Sequence, residues 1–192
     1  MEPLSKPWSL YQDMKWNTRR KKIFLINSKE DCLCPECGSP LKCRDHRLRV
    51  HKIAGGEKEW YLIRRLKCSN GKCRRLHNEL PDCLCPYKHY DAGLIEDVVD
   101  GVVSGDDIET EDYPCAGTMK HWKWWMQMNE TNIEGQMREA SRRLFGLDSQ
   151  FLKSAASLLA DVRKRISPGW LPAVIRYIYN TGGRIEPYPA AA

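Results

Sequence analysis

The chain has 192 residues, 42% of them apolar, and carries 31 Lys and Arg against 25 Asp and Glu, a formal net charge of +6. That length and apolar share suffice for one or two compact cores, which excludes fibrous and wholly disordered classes. No apolar run approaches the ~18 residues of a spanning helix, and residues 1–16 lack the apolar stretch of a secretory signal, so the expected setting is cytoplasmic, with no membrane partner.

Charge is unevenly distributed along the chain. Residues 1–90 hold 20 basic and 10 acidic side chains, residues 91–112 none and 9, and residues 113–192 hold 11 and 6. Two basic regions joined by an acidic connector suit two polyanion-facing surfaces. The first candidate contacts are Arg19, Arg20, Lys21 and Lys22 in a basic flank over residues 1–29, although a short charge run is also what a merely solvated surface looks like.

Short β-like runs follow. Ile23 to Ile26 is apolar, and Leu48 to Ile53, the glycines Gly55 and Gly56, and Trp60 to Leu66 read as a β-hairpin. The hairpin lies between two cysteine pairs. Cys34-Pro35-Glu36-Cys37-Gly38 is a knuckle in which two intervening residues turn the backbone so that both sulfurs converge, with Gly38 supplying positive φ. After 30 residues, Cys68 and Cys73 form a wider knuckle with four residues between them. Four thiolates at this spacing suit a structural Zn²⁺ with no open coordination position. His77 is the reserve ligand in place of one cysteine, and unmetallated core thiols are the plain alternative. Cys32, Cys43, Cys83, Cys85 and Cys115 are expected to be buried free thiols, because an unexported chain seldom builds a disulfide framework.

The block running from Arg64-Arg65-Leu66-Lys67-Cys68 through Cys73-Arg74-Arg75-Leu76-His77-Asn78-Glu79-Leu80-Pro81, followed by Pro86-Tyr87-Lys88-His89-Tyr90, resembles a bacterial mobile-element-associated family of unknown function. That family has a zinc ribbon followed by a helix-turn-helix and is similar in plan to the N-terminal DNA-binding region of insertion-sequence transposases. The resemblance covers about residues 30–128. It implies an α+β chain in which a β-rich zinc ribbon (30–88) precedes an all-α helix-turn-helix (89–128); beyond it the residue pattern predicts a C-terminal helical region (129–185) and a flexible tail (186–192). It also implies double-stranded DNA as partner, with Arg64, Arg65, Arg74 and Arg75 among the contacts, and it admits a recombinase or transposase partner and a homodimer. A transposase catalytic domain would need more chain, so binding rather than strand transfer is carried over, with no catalytic residues.

Leu94, Ile95, Val98 and Val99 predict a short amphipathic helix ending at Gly101. The acidic residues 106–112 sit on one loop, where carboxylates point apart and repel rather than gather two metals. A helix is then predicted from Pro114 to Met126, with Met119, Trp122 and Met126 inward. Its other side shows Thr118, His121 and Trp124 flanked by Lys120 and Lys123, chemistry suited to reading a major groove; such Trp-rich spacing equally suits a core. Further on, Phe151 to Ile166 forms one apolar stripe with a cationic last turn, and Ser167-Pro168 predicts the start of a last helix that Thr181, Gly182 and Gly183 end.

The expected function is a zinc-stabilised DNA-binding protein, an accessory factor in transposition and DNA recombination or a transcription regulator. The rivals are a zinc-dependent adaptor for a recombinase or other protein, a small nuclease using His77, His89 or the acidic loop, and a binder of single strands that stacks bases on Trp122, Trp124 or Trp125.

Overall fold

A computed structural model describes residues 11–12, 23–28, 31–106 and 114–187. The chain divides into two compact units, Met1–Asp91 and Ala92–Ala192.

The first unit is a mixed sheet. Its strands are β1 (Tyr11–Gln12), β2 (Ile23–Ile26), β3 (Leu41–Lys52), β4 (Lys58–Cys68) and β5 (Leu76–Asn78). The order is β1-β2-β4-β3, with β5 also pairing β4. The hairpin β3–β4 is antiparallel, from Lys52 opposite Lys58 to Leu41 opposite Cys68, with a bulge between Cys43 and Asp45. Gly55 and Gly56, at φ +82° and +75°, turn it, because both positions need the left-handed region that a Cβ disfavours. Side chains alternate across a strand, so Tyr61 and Ile63 point to one face and pack with Ile26 and Leu84, while Phe24, Leu80 and Cys83 close the cluster. Buried beside them, His51 has Nε2 2.9 Å from Asp91 Oδ2 and Nδ1 2.8 Å from the Tyr61 hydroxyl.

The second unit is helical: α1 (Ala92–Asp100), α2 (Ala116–Phe145), α3 (Ser149–Leu152), α4 (Leu158–Arg165) and α5 (Trp170–Asn180). Met119, Trp122, Met126, Asn129, Ile133, Met137 and Ala140 fall along one side of α2 and are buried, the 3–4 spacing that a helix turns into a stripe. Gly146 ends α2 at φ +64°, its N–H on the Arg142 carbonyl. The Glu96 carboxylate on α1, 2% exposed, accepts the N–H groups of Gly169 and Leu171 at the start of α5. Trp170, fully buried, donates its indole N–H to Asp100 at 2.8 Å.

The architecture is broadly α+β, sheet first and helices after, but the finer expectation is corrected. The hairpin is not a separate ribbon: the apolar run Ile23–Ile26 lies parallel to β4, with Ile23 opposite Trp60 and Ile26 opposite Ile63, and makes it a central strand. Nor do the described residues of 89–128 form a helix-turn-helix. The Trp-rich segment is the first third of a single 30-residue helix that runs unbroken past residue 128, because nothing between Ala116 and Phe145 interrupts the periodicity or removes a backbone donor. The predicted helix through Phe151–Ile166 is likewise two pieces, α3 and α4, and the last helix begins at Trp170 rather than Pro168. Glu186, placed in the tail by sequence, is held: its carbonyl takes the Trp125 indole N–H at 2.8 Å and its N–H donates to Asn129.

Candidate metal centre

The first knuckle is set by local backbone bonds. Gly38 N–H donates to the Cys34 carbonyl at 2.7 Å and Cys34 N–H to the Ser39 carbonyl at 2.8 Å, with Gly38 at φ +70°. The second knuckle absorbs its two extra residues in a turn built on Asn70. The Asn70 side-chain oxygen accepts Lys72 N–H at 2.9 Å, and its carbonyl accepts the N–H groups of Cys73 and Arg74. Arg74 then takes the left-handed position, φ +51°, that Gly38 takes in the first knuckle. Ser69 N–H on the Pro40 carbonyl at 3.0 Å ties one knuckle to the other.

These turns bring the sulfurs of Cys34, Cys37, Cys68 and Cys73 within 4.8 Å of one another, a group that could hold a metal ion. Cys34 and Cys73 are 3.8 Å apart and Cys37 and Cys68 3.5 Å. Cys34 and Cys68 are buried and Cys37 faces outward. The Ser39 hydroxyl and backbone N–H hold the Cys37 thiol down to about 6, whereas burial pushes Cys68 up to about 12 against the backbone N–H of Asn70. For Cys73 the Arg75 backbone N–H pulls down, but burial and the facing Cys37 and Cys34 raise it overall. Four sulfurs this close cannot all carry charge without a cation among them.

His77 lies beside the cluster rather than in it, Nε2 3.4 Å from the Cys34 sulfur; burial lowers its pKa. Its place comes from β5, where His77 stands opposite Leu66. Glu79 was not singled out by sequence. It is 1% exposed, takes both Arg64 nitrogens, with Nη2 at 2.6 Å, and accepts Ser28 N–H at 2.8 Å. The Cys32 thiol is 3.9 Å from the same carboxylate.

The expected polyanion contacts divide three ways. Arg64 is committed to Glu79 and Arg65 to Asp45, which leaves neither guanidinium free for phosphate. Arg74 and Arg75 are exposed, Arg75 with Glu36 at 4.0 Å. Arg19, Arg20, Lys21 and Lys22 lie outside the described residues. On α2, Lys120, His121 and Lys123 are exposed, Trp124 is 38% exposed, and Thr118 is half-buried with its hydroxyl 3.4 Å from the Cys115 sulfur. The His121 and Trp124 rings meet edge-on at 5.5 Å. Met119, Trp122 and Met126 point inward as their spacing predicts, and so does Trp125, so of the three tryptophans expected to stack bases only Trp124 is exposed. Among the remaining cysteines Cys85 is buried, but Cys43 and Cys115 are exposed rather than buried. Of the acidic loop, residues 107–112 lie outside the described residues. Among the described residues no helix is long and apolar enough to cross a membrane.

Neither the curated proteins nor the solved structures contain a match to this chain. Residues 34–122, which begin at the first cysteine of the cluster and end on the buried Trp122, match the family model of a domain of unknown function (DUF6431), so that this stretch, both knuckles included, is similar to that family.

Proposed function

We propose that the chain is a zinc-stabilised double-stranded DNA-binding protein, an accessory factor in transposition or recombination or a transcription regulator. The observation that carries this reading is the closed four-sulfur cluster. Four sulfurs about 2.3 Å from a Zn²⁺ stand about 3.8 Å from one another in a tetrahedron, and the Cys34–Cys73 and Cys37–Cys68 separations of 3.8 and 3.5 Å fit it. Four protein ligands leave no position for water or substrate. The ion would therefore hold Cys34, Cys37, Cys68 and Cys73 in place, and function would lie in surfaces rather than in chemistry at the metal.

Base selection falls to the exposed side of the first turns of α2, where Lys120 and Lys123 would grip phosphates while His121, Thr118 and Trp124 meet base edges. Selection from a random duplex library at physiological salt tests the whole reading, and a pool that does not enrich would refute it. Lys120→Ala with Lys123→Ala should weaken binding and flatten the salt slope, and His121→Ala should change the preferred sequence. Gel shifts in which neither variant differs from wild type would remove α2 as the reader.

A second reading, an adaptor for a recombinase or other protein, draws on the turn after α2. Leu144 and Phe145 are 54% and 70% exposed there, with Leu147 and Leu152 close in sequence and also exposed. Exposed apolar groups of that size at one corner suit a protein partner. Partner capture that persists after nuclease treatment, with duplex binding only at nonspecific strength, would favour it.

A further inference from the structure

The hairpin β3–β4 carries nine Lys and Arg side chains against two carboxylates, Asp45 and Glu59, a larger positive surplus than the +6 of the entire chain. Several of the nine are spoken for. Arg64 is held by Glu79, Arg65 and Arg44 share Asp45, Lys52 lies 4.7 Å over the Tyr90 ring, and Arg49 is buried with Nη2 on the Lys88 carbonyl. Lys42, Arg47 and Lys67 are not: among the described residues none makes an ion pair. Lys42 stands directly opposite Lys67 in the ladder, an arrangement that disfavours strand pairing. Immediately beyond Lys67, the second knuckle adds Lys72 and Arg74, both exposed and also without an ion pair among the described residues.

Register puts the cations on one face. Lys67, Arg65 and Ile63 alternate along β4, and their partners across the ladder are Lys42, Asp45 and Arg47, the bulge at Arg44 keeping the three in phase. From residue 42 to 47 a strand covers about 15 Å, a length of duplex that presents several phosphates. Among the described residues β3 is also an edge strand of the sheet, taken up at its Lys52 end by a bridge to Tyr90. The bulge and the charges along it oppose addition of a partner strand, which favours a ligand gripped by side chains over an acidic peptide paired through its backbone.

We propose that Lys42, Arg47 and Lys67, with Lys72 and Arg74 of the second knuckle, form an edge that binds the nucleic-acid phosphate backbone, in place of Arg64 and Arg65. This rests on the DNA-binding reading and gives it a second contact surface beside the metal centre. The test is fluorescence anisotropy of the metal-loaded full chain with a random-sequence 20-base-pair duplex, across a salt series. Each lost phosphate contact lowers the slope of log K against log salt by about 0.9, so Lys42→Gln with Arg47→Gln and Lys67→Gln should lower it by two to three and weaken binding at least tenfold at low salt. Arg74→Gly is the companion variant: it removes a cation while relieving a left-handed backbone, so it should keep or raise thermal stability and still weaken binding severalfold. If wild type binds duplex with a steep slope and both variants match it, the edge is not the contact, and the DNA-binding reading survives through α2. Absence of wild-type binding overturns both. Poly-glutamate displacing the duplex more effectively than unlabelled duplex does would overturn the phosphate assignment in favour of an acidic protein.

Discussion

A single side chain shows how the candidate site is assembled. Glu79 lies in a buried position where its charge has to be matched, and Arg64 meets it from β4 with two nitrogens. The pair raises the Arg64 pKa, the hydrogen bond to Glu79 outweighing burial. Since β5 places Asn78 and His77 opposite Arg65 and Leu66, the clamp at Glu79 also fixes the strand that sets His77 against Cys34. The run of Arg64-Arg65-Leu66 and His77-Asn78-Glu79 thus has a structural meaning: Arg64 closes on Glu79 within it, and Arg65 on Asp45 of β3. Sequence shows two arginines and a later glutamate but not that they meet, because the pairing depends on a strand register between residues 15 apart. Removing one partner of a buried ion pair costs about 3–5 kcal/mol, so Glu79→Ala should lower the unfolding free energy measured in urea by an amount of that order. A double-mutant cycle with Arg64→Ala should recover a large part of it; additive losses would mean the two side chains act independently.

At the scale of elements, helix ends are capped by carboxylates from elsewhere in the same unit. Glu134, within α2, accepts the N–H groups of Leu158 and Leu159 at 2.9 Å each and the Ser157 hydroxyl at 3.0 Å, and pairs with Arg138. Burial raises its pKa, but the N–H groups of Leu159 and Leu158, the Ser157 hydroxyl and Arg138 together lower it below the ordinary carboxylate value. A depressed folded pKa gives stability that is present above the unfolded value, about 4.3, and is lost as pH falls through the folded one. Glu134→Gln should therefore destabilise by about 1–2 kcal/mol at pH 7, and its thermal midpoint should converge on wild type below pH 4; a gap that stays constant with pH would exclude this role. Glu96 does the same for α5, and Glu96→Ala should cost about 2 kcal/mol in chemical denaturation at pH 7. The break between α3 and α4 was not legible in the apolar stripe from Phe151 to Ile166, because periodicity alone continues through a turn that Glu134 and Arg138 of α2 stabilise from outside it.

For the whole molecule, the two units have separate means of support. The sheet unit has a small core around Tyr61, Ile63, Ile26 and Leu84 and two knuckles whose four sulfurs lie close enough together that they could hold a metal ion. The helical unit buries Trp122, Trp125, Ile133, Trp170, Leu171 and Ile178. Metal analysis of the purified chain should return one zinc per molecule, and chelation should disorder the knuckles and the adjacent ends of β3 and β4 while most helical circular dichroism at 222 nm persists. Hydrogen exchange after chelation checks this: deprotection confined to the helical unit would contradict it, as would complete protection of residues 34–41 and 68–78.

The two knuckles, the hairpin between them, the inward set Met119, Trp122 and Met126, and the end of α1 at Gly101 are all legible in the order of the residues. Each is written in spacings of a few residues, where backbone geometry alone decides which side chains converge. It takes the folded chain to show that β2 joins the hairpin in parallel, that α2 is one long helix, and which cations make no ion pair among the described residues. Arg64 and Lys67 stand three residues apart with the same positive sign, yet one is neutralised by the Glu79 carboxylate just past β5 and the other faces a second lysine across the ladder. A charge's partner is set by folding distant segments together, so charge counts along the chain cannot say where a surface is positive.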